Sequence, residues 1–283
     1  MRLDQLMAEH QHARKDIKQL LARRQILVDH LPAQKLSQNI DPGLQQIQIG
    51  DRIIQEPRHH YYMLHKPIGA VTAKRDAHHP TVIDLVDPQQ EYPDLYPLGR
   101  LDRDTSGLLL LTDNGPLGFQ LLHPQYHVEK VYEVEVNGPL YAAHIEQFQN
   151  GIPFTDGPIC KPASLTILES HPSYSKAQVR ISEGKYHQVK KMFLAVGVKV
   201  MTLKRLSFGP FTLDPQLAPG ESRPLNEVEL TWVKDFLEKN EIKSSNHTHR
   251  AVRALFIRRL FSLSHSKNQD HKTRHKCLYS PVS

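Results

Sequence analysis

Cysteine is nearly missing from this 283-residue chain: only Cys160 and Cys277 are present. Two thiols far apart give neither a disulfide framework nor a thiolate zinc site. Long apolar runs are missing as well. No 18-residue apolar stretch occurs, so no membrane-spanning helix is expected, and "MRLDQLMAEHQHARK" lacks a signal-peptide apolar region. Histidine is plentiful at 18 residues, yet "HQH", "HH" and "HPQYH" are scattered and no H-E-x-x-H pattern occurs. Neither a G-x-S-x-G elbow nor a phosphate-cradling G-x-x-x-x-G-K-[ST] loop is found. The expectation is a cytoplasmic protein with no metal site, no small-molecule cofactor and no membrane partner.

The 39% hydrophobic content supports a genuine core. The net charge of +6 suggests nucleic acid, but its location matters. Residues 244–283 hold eight Lys/Arg against one Asp, so the remaining chain is close to neutral. A basic tail says nothing of the folded body, and local patches must make that case.

Residues 1–58 read as a small unit. "RLDQLMAEH" and "ARKDIKQLLARR" are helical patterns, followed by "QILVDH" and "LQQIQIGDRII" as short strands, the second alternating with period two. The second helix carries Arg14, Lys15, Lys18, Arg23 and Arg24 against one acid, a basic face suited to phosphates. Charge alone equally fits an ordinary solvated helix. The order of elements resembles the small RNA-binding module named after a ribosomal small-subunit protein. The resemblance rests on Arg2-Leu3-Asp4, the basic helix and Gly50-Asp51-Arg52-Ile53. It departs at Asp29-His30, where an Asn-Gly hairpin is usual, and at Arg24-Gln25, where glycine is usual.

After the polar linker "EPRHH", residues 60–240 form a second unit with strand-like "YYML", "GLLLLT", "KVYEVEV", "ASLTILE" and "AQVRISE". Helical "YAAHIEQFQNG", "HQVKKMFLAVG" and "RPLNEVELTWVKDFLEK" interleave with them. Strands separated irregularly by helices predict an α+β fold with a mainly antiparallel sheet. From about residue 241 the composition turns Ser-, His- and Lys/Arg-rich, and "RAVRALFIRRLFSL" patterns as a basic amphipathic helix in a partly disordered tail.

The chemistry concentrates at "PLGRLDRDTSGLLLLTDNG", where two aspartates, two arginines and two hydroxyls abut four leucines. The leucines fit a buried strand, so the polar cluster sits on the loop feeding it. Asp102 alone could be a nucleophile, a base, a metal ligand or an ion-pair partner of a neighbouring arginine. Two further segments narrow this: Glu129-Lys130-Val131-Tyr132 opening a strand, and Ile181-Ser182-Glu183-Gly184-Lys185-Tyr186-His187-Gln188-Val189-Lys190-Lys191-Met192 passing from strand to helix. In this order the three segments resemble the pseudouridine synthases that modify RNA. The flanking "YYMLHKPIGAVTA", "HPTVIDLV" and "LAPGESRPL" are most similar to the branch acting on small-subunit (16S) ribosomal RNA, the RsuA type.

The resemblance spans residues 1 to about 240 and implies a reaction without cofactor or metal: a uridine is detached at its nitrogen–carbon bond, turned and rejoined through carbon 5. It implies Asp102 as the nucleophilic carboxylate, Lys190 as the cation that keeps it ionised and oriented, and Tyr132 as the ring against the target uracil. Arg100 becomes the candidate to fill the gap left by the extruded base. Thr105, Lys130, Lys185, His187 and Gln188 are expected beside the substrate, with Lys191, Lys204 and Arg205 as phosphate contacts. Arg2, Arg14, Lys15 and Lys18 are the second RNA grip. The expected partner is ribosomal RNA or an assembling ribosomal particle, bound by a monomer. The competing readings are the same reaction on 23S large-subunit RNA, a non-catalytic RNA-binding assembly factor, and a glycosidase using Asp102 and Asp104 as its carboxylate pair.

Overall fold

The computed structural model describes residues 1–86, 92–154 and 159–242. The basic amphipathic pattern at 250–263 and Cys277 lie outside the described residues. Helices α1 (Leu3–Glu9) and α2 (Arg14–Ala22) pack over a four-stranded antiparallel sheet of β1 (Ile26–Val28), β2 (Leu31–Pro32), β3 (Ile47–Ile49) and β4 (Arg52–Ile54), in the order β2-β1-β3-β4. Leu3, Leu6, Met7, Ile17, Ile26, Ile40 and Ile47 close its core. The run "LQQIQIGDRII" is therefore two strands where one was expected. Gly50, at φ +58°, turns the chain between them in a left-handed conformation that other residues rarely adopt.

The larger sheet is built from β5 (Tyr61–Lys66), β6 (Tyr96–Pro97), β7 (Ser106–Thr112), β8 (Lys130–Val136), β9 (Ser164–Ser170), β10 (Ser175–Ile181), β11 (Val200–Phe208), β12 (Phe211–Thr212) and β13 (Ser222–Pro224). Its order is β13-β5-β7-β11-β8-β10-β9, with β6 on β7 and β12 on β11. Among the described strands only β7 and β11 run parallel, in keeping with an α+β sheet of mainly antiparallel strands. Helices α3 (Gly115–Leu122), α4 (Ala142–Asn150), α5 (Gln188–Ala195) and α6 (Glu227–Ile242) complete the description.

The four leucines of β7 explain why that run is apolar without alternation. Leu109 and Leu111 join the core on one face of the sheet with Tyr132, Val134 and Phe193, while Leu108 and Leu110 join the core on the other with Phe208 and Leu237. A strand covered on both faces needs apolar side chains at every position. Just before them, Gly107 lies so close to β11 that a Cβ would meet the Arg205 carbonyl oxygen at 2.3 Å. This contact docks the start of β7 onto β11.

The two sheets share one compact unit, Met1–Asn240. A buried polar chain joins them: the Tyr61 hydroxyl donates to Asp41, and Asn114 Nδ2 donates to the Tyr61 oxygen at 2.7 Å. The Asn114 side chain also caps α3 by accepting from Leu117 N.

Candidate active site

The loop from Gly99 to Thr105 is held from beneath by a lysine with no carboxylate partner among the described residues. Lys66, fully buried at the end of β5, donates from Nζ to the carbonyl oxygens of Pro67 at 3.0 Å, Asp102 at 3.0 Å and Thr105 at 2.8 Å. Burial pushes its ammonium down to about 8, against the pull of Asp102 and Asp104. From the side, Thr72 clasps Leu101, accepting from its N–H at 3.1 Å and donating to its carbonyl at 2.7 Å. The Asp102 backbone is thus fixed at several points before its side chain meets anything.

The carboxylate then faces the start of α5. Lys190 Nζ lies 3.0 Å from Asp102 Oδ2 and 2.6 Å from Asp104 Oδ1, and His187 Nε2 lies 3.5 Å from Asp102 Oδ1. Lys190 stands in the first turn of α5, where a cation opposes the helix dipole. Burial would lower its ammonium, but the hydrogen bonds it donates to Asp104 and Asp102 outweigh this and raise it. The Lys190 bond in turn holds the Asp104 carboxyl below the usual range. A glycosidase pair needs one protonated carboxyl, and a shared lysine works against that.

Asp102, His187 and Lys190 form one wall of a cleft of about 640 Å³. Tyr132, 7% exposed, stands opposite Arg205 in the β8–β11 register and lines the same cleft. Exposed Arg100 is at its mouth. His187 adopts the left-handed conformation, φ +52°, and stacks at 3.8 Å on the ring of exposed Tyr186. That strained residue makes the sharp turn that aims α5 at Asp102.

The other expected contacts divide. Thr105 is buried and its hydroxyl oxygen has no partner. Gln188, expected beside the substrate, is buried and spends its amide inside the loop: Oε1 accepts from Lys185 N and Nε2 donates to Glu183. Lys185 donates to the Ile159 carbonyl and sits 3.5 Å from Glu183, so it braces the same turn. Arg205, expected as a phosphate contact, is 2% exposed at the cleft floor. A position between strand and bulge hides such a side chain from any reading of charge in the sequence. Arg2 is clasped by Asp4 at 2.6 Å, whereas Arg14, Lys15 and Lys18 are exposed on α2 without a carboxylate partner among the described residues. No metal-ligand cluster occurs among the described residues.

Sequence motifs missed Lys66, whose "HKP" context reads as a turn, and Asp104 as the second claimant on Lys190. The "KP" turn directly after an apolar strand was the signal available for the first.

The site sits in a chain whose relatives are RNA-modifying isomerases. The family model described as RNA pseudouridylate synthase matches residues 60–195. An uncharacterized RNA pseudouridine synthase, YtzG of Bacillus subtilis, is 39% identical over 83% of this chain and 99% of its own. The ribosomal small subunit pseudouridine synthase A of Pseudomonas aeruginosa is 37% identical over 82% of this chain and 100% of its own. That of Escherichia coli K12 is 40% identical over 65% of this chain and 78% of its own. A crystal structure of a pseudouridylate synthase superposes with a TM-score of 0.57 at 33% identity, covering 82% of this chain and 99% of that one. The chain belongs to the RNA pseudouridine synthase family.

Proposed function

We propose that this protein converts one uridine of small-subunit ribosomal RNA to pseudouridine, with Asp102 as nucleophile. The observation that carries this is the Asp102 carboxylate, fixed through its backbone by Lys66 and ion-paired at 3.0 Å to Lys190, at a cleft walled by Tyr132. The names and coverage of the relatives support the choice of RNA. In the reaction the C1′–N1 bond breaks, the uracil turns, and C5 bonds to C1′. The C5 proton leaves and N1 gains one, so uridine and product have the same atoms.

Lys190 pairs with the Asp102 carboxylate at 3.0 Å and keeps it aimed. Tyr132 offers its ring to the base, and Arg100 at the mouth is placed to occupy the stack that the flipped nucleotide vacates. Residues 1–58 act as a tethered RNA grip through Arg14, Lys15 and Lys18, raising the effective concentration of substrate at the 60–240 catalytic domain. The 241–283 tail adds salt-dependent affinity, and the protein works as a cytoplasmic monomer.

The test treats unmodified small-subunit RNA with wild type or Asp102→Asn and maps pseudouridine by carbodiimide adducts and primer extension. One new stop with wild type alone, while Asp102→Asn still binds RNA, is expected. A stop only on large-subunit RNA overturns the substrate. Silence on all ribosomal RNA and assembling particles favours a binding factor.

A further inference from the structure

The floor of the cleft carries positive charge that no carboxylate among the described residues answers. Arg205, 2% exposed, donates from Nε to the Leu108 carbonyl at 2.7 Å, but one terminal nitrogen is buried with no partner. Beside it Lys130 donates to the Val128 carbonyl at 2.8 Å. Both cations lie 5.2 Å from the centre of the same Phe208 ring, and both line the cleft. Among the described residues no carboxylate pairs with either. Burial, and then the neighbouring guanidinium, push the Lys130 ammonium down to about 8. A guanidinium cannot shed its proton, so a buried Arg205 with a free donor is stabilised when negative charge arrives.

The reaction itself produces such charge. If Asp102 attacks C1′, the C1′–N1 electron pair goes to the uracil and spreads over O2 and O4. If it attacks C6, the C5–C6 pair moves onto the C4–O4 group. On either route the uracil oxygens become more negative, until C5 gives its pair to C1′, Asp102 leaves as the carboxylate and C5 loses its proton. We propose that Arg205, with Lys130 beside it, receives the uracil carbonyl oxygens and stabilises the charge that develops on the detached or attacked base. This rests on the uridine isomerisation read above. Donors fixed before the charge appears need no reorganisation when it does.

The competing source of negative charge is an RNA phosphate, and full-length variants separate the two. Turnover is followed as tritium released from C5-labelled uridine in the ribosomal RNA transcript, beside thermal melts. Arg205→Gln is expected to lower kcat about a hundredfold with KM within about threefold of wild type, and Arg205→Lys to regain part of it. On 5-fluorouridine RNA, scored as loss of the starting nucleoside, the same substitution is expected to lose less. The fluorine already withdraws charge from the ring. A rise in KM with a shallower salt dependence and unchanged kcat identifies a phosphate contact and overturns the proposal. Equal losses on both substrates with a lowered melting temperature identify a structural arginine and also overturn it. If Arg205→Gln does not fold, Lys130→Met decides: an approximately tenfold fall in kcat at constant KM is expected, and an unchanged kcat overturns it. If wild type itself is inert on every RNA, the functional reading fails and takes this proposal with it. Activity lost in Asp102→Asn but kept in Arg205→Gln leaves the reading intact and sinks the proposal alone.

Discussion

The cations of the N-terminal module and those of the cleft are built on opposite principles. On α2, Arg14, Lys15 and Lys18 stand exposed around a helix whose one fully buried side chain is Ile17. Nothing in the fold depends on where their charges point. Around Asp102, Lys66 is fully buried and Arg205 is 2% exposed, each spending donors on backbone carbonyls instead of carboxylates. Exposed cations supply sequence-independent, salt-sensitive attraction to phosphates. Buried ones fix geometry and field, because water cannot screen or replace them. The first kind can be changed with little effect on the site's geometry, and the second cannot. Binding and chemistry in this chain should therefore respond separately to substitution.

The sharpest break of that comparison is Lys66→Met. It leaves the Pro67, Asp102 and Thr105 carbonyls without their donor, and unanswered buried acceptors cost about 1–3 kcal/mol each before relaxation. We expect a loss of stability of about 3 kcal/mol, seen in a denaturant midpoint, and a fall in kcat of about a hundredfold as the loop loosens. Wild-type kcat in Lys66→Met would show that Lys190 alone places Asp102. The opposite arm replaces Arg14, Lys15 and Lys18 together by alanine. Alanine is the best helix former, so α2 and the melting temperature should hold. RNA affinity should drop about tenfold and the salt dependence should flatten by about two ion equivalents, with kcat unchanged once RNA saturates. A changed kcat would mean that the module does more than hold RNA.

Much of this division was legible in the sequence, and the exceptions have physical reasons. The apolar run of β7, the strand-like segment of β8 and the basic face of α2 were each readable as local patterns, and the structure has them where the patterns put them. Strand β11, central to the sheet, left no such trace. Its pairing with β8 shifts register between Val200 and Thr202 and again between Arg205 and Ser207, so side chains do not alternate cleanly. The same irregularity hid Arg205, which charge alone placed at the surface. Asp102 and Lys190 were named from motifs far apart in the chain, and the fold brings them to 3.0 Å. What no motif conveyed was the support beneath them. Lys66 acts through carbonyl oxygens, which every residue has, so no partner residue marks it in the sequence.

The smallest expected effect probes a departure in the module itself. Strands β1 and β2 are joined by a two-residue turn, Asp29-His30, with φ +49° and +67°. Both positive values are those of the tight turn that favours Asn-Gly. Asp29 has reasons to be there: its Oδ1 accepts from Gln46 N at 3.1 Å, and its carboxylate pairs with Lys234 of α6 at 2.9 Å. His30 is exposed and makes no such contact. A side chain in the left-handed region costs about 1–2 kcal/mol, while glycine frees the unfolded chain by about 0.5–1 kcal/mol. The difference leaves His30→Gly more stable by about 0.5 kcal/mol, read as a higher denaturant midpoint of the full chain with unchanged turnover. His30→Ala keeps the strain and should match wild type. If glycine also matches wild type, His30 has an interaction that offsets its strain. The module's turn would then be held as firmly as the cleft's loop, and the contrast between the two regions would lie in their charges alone.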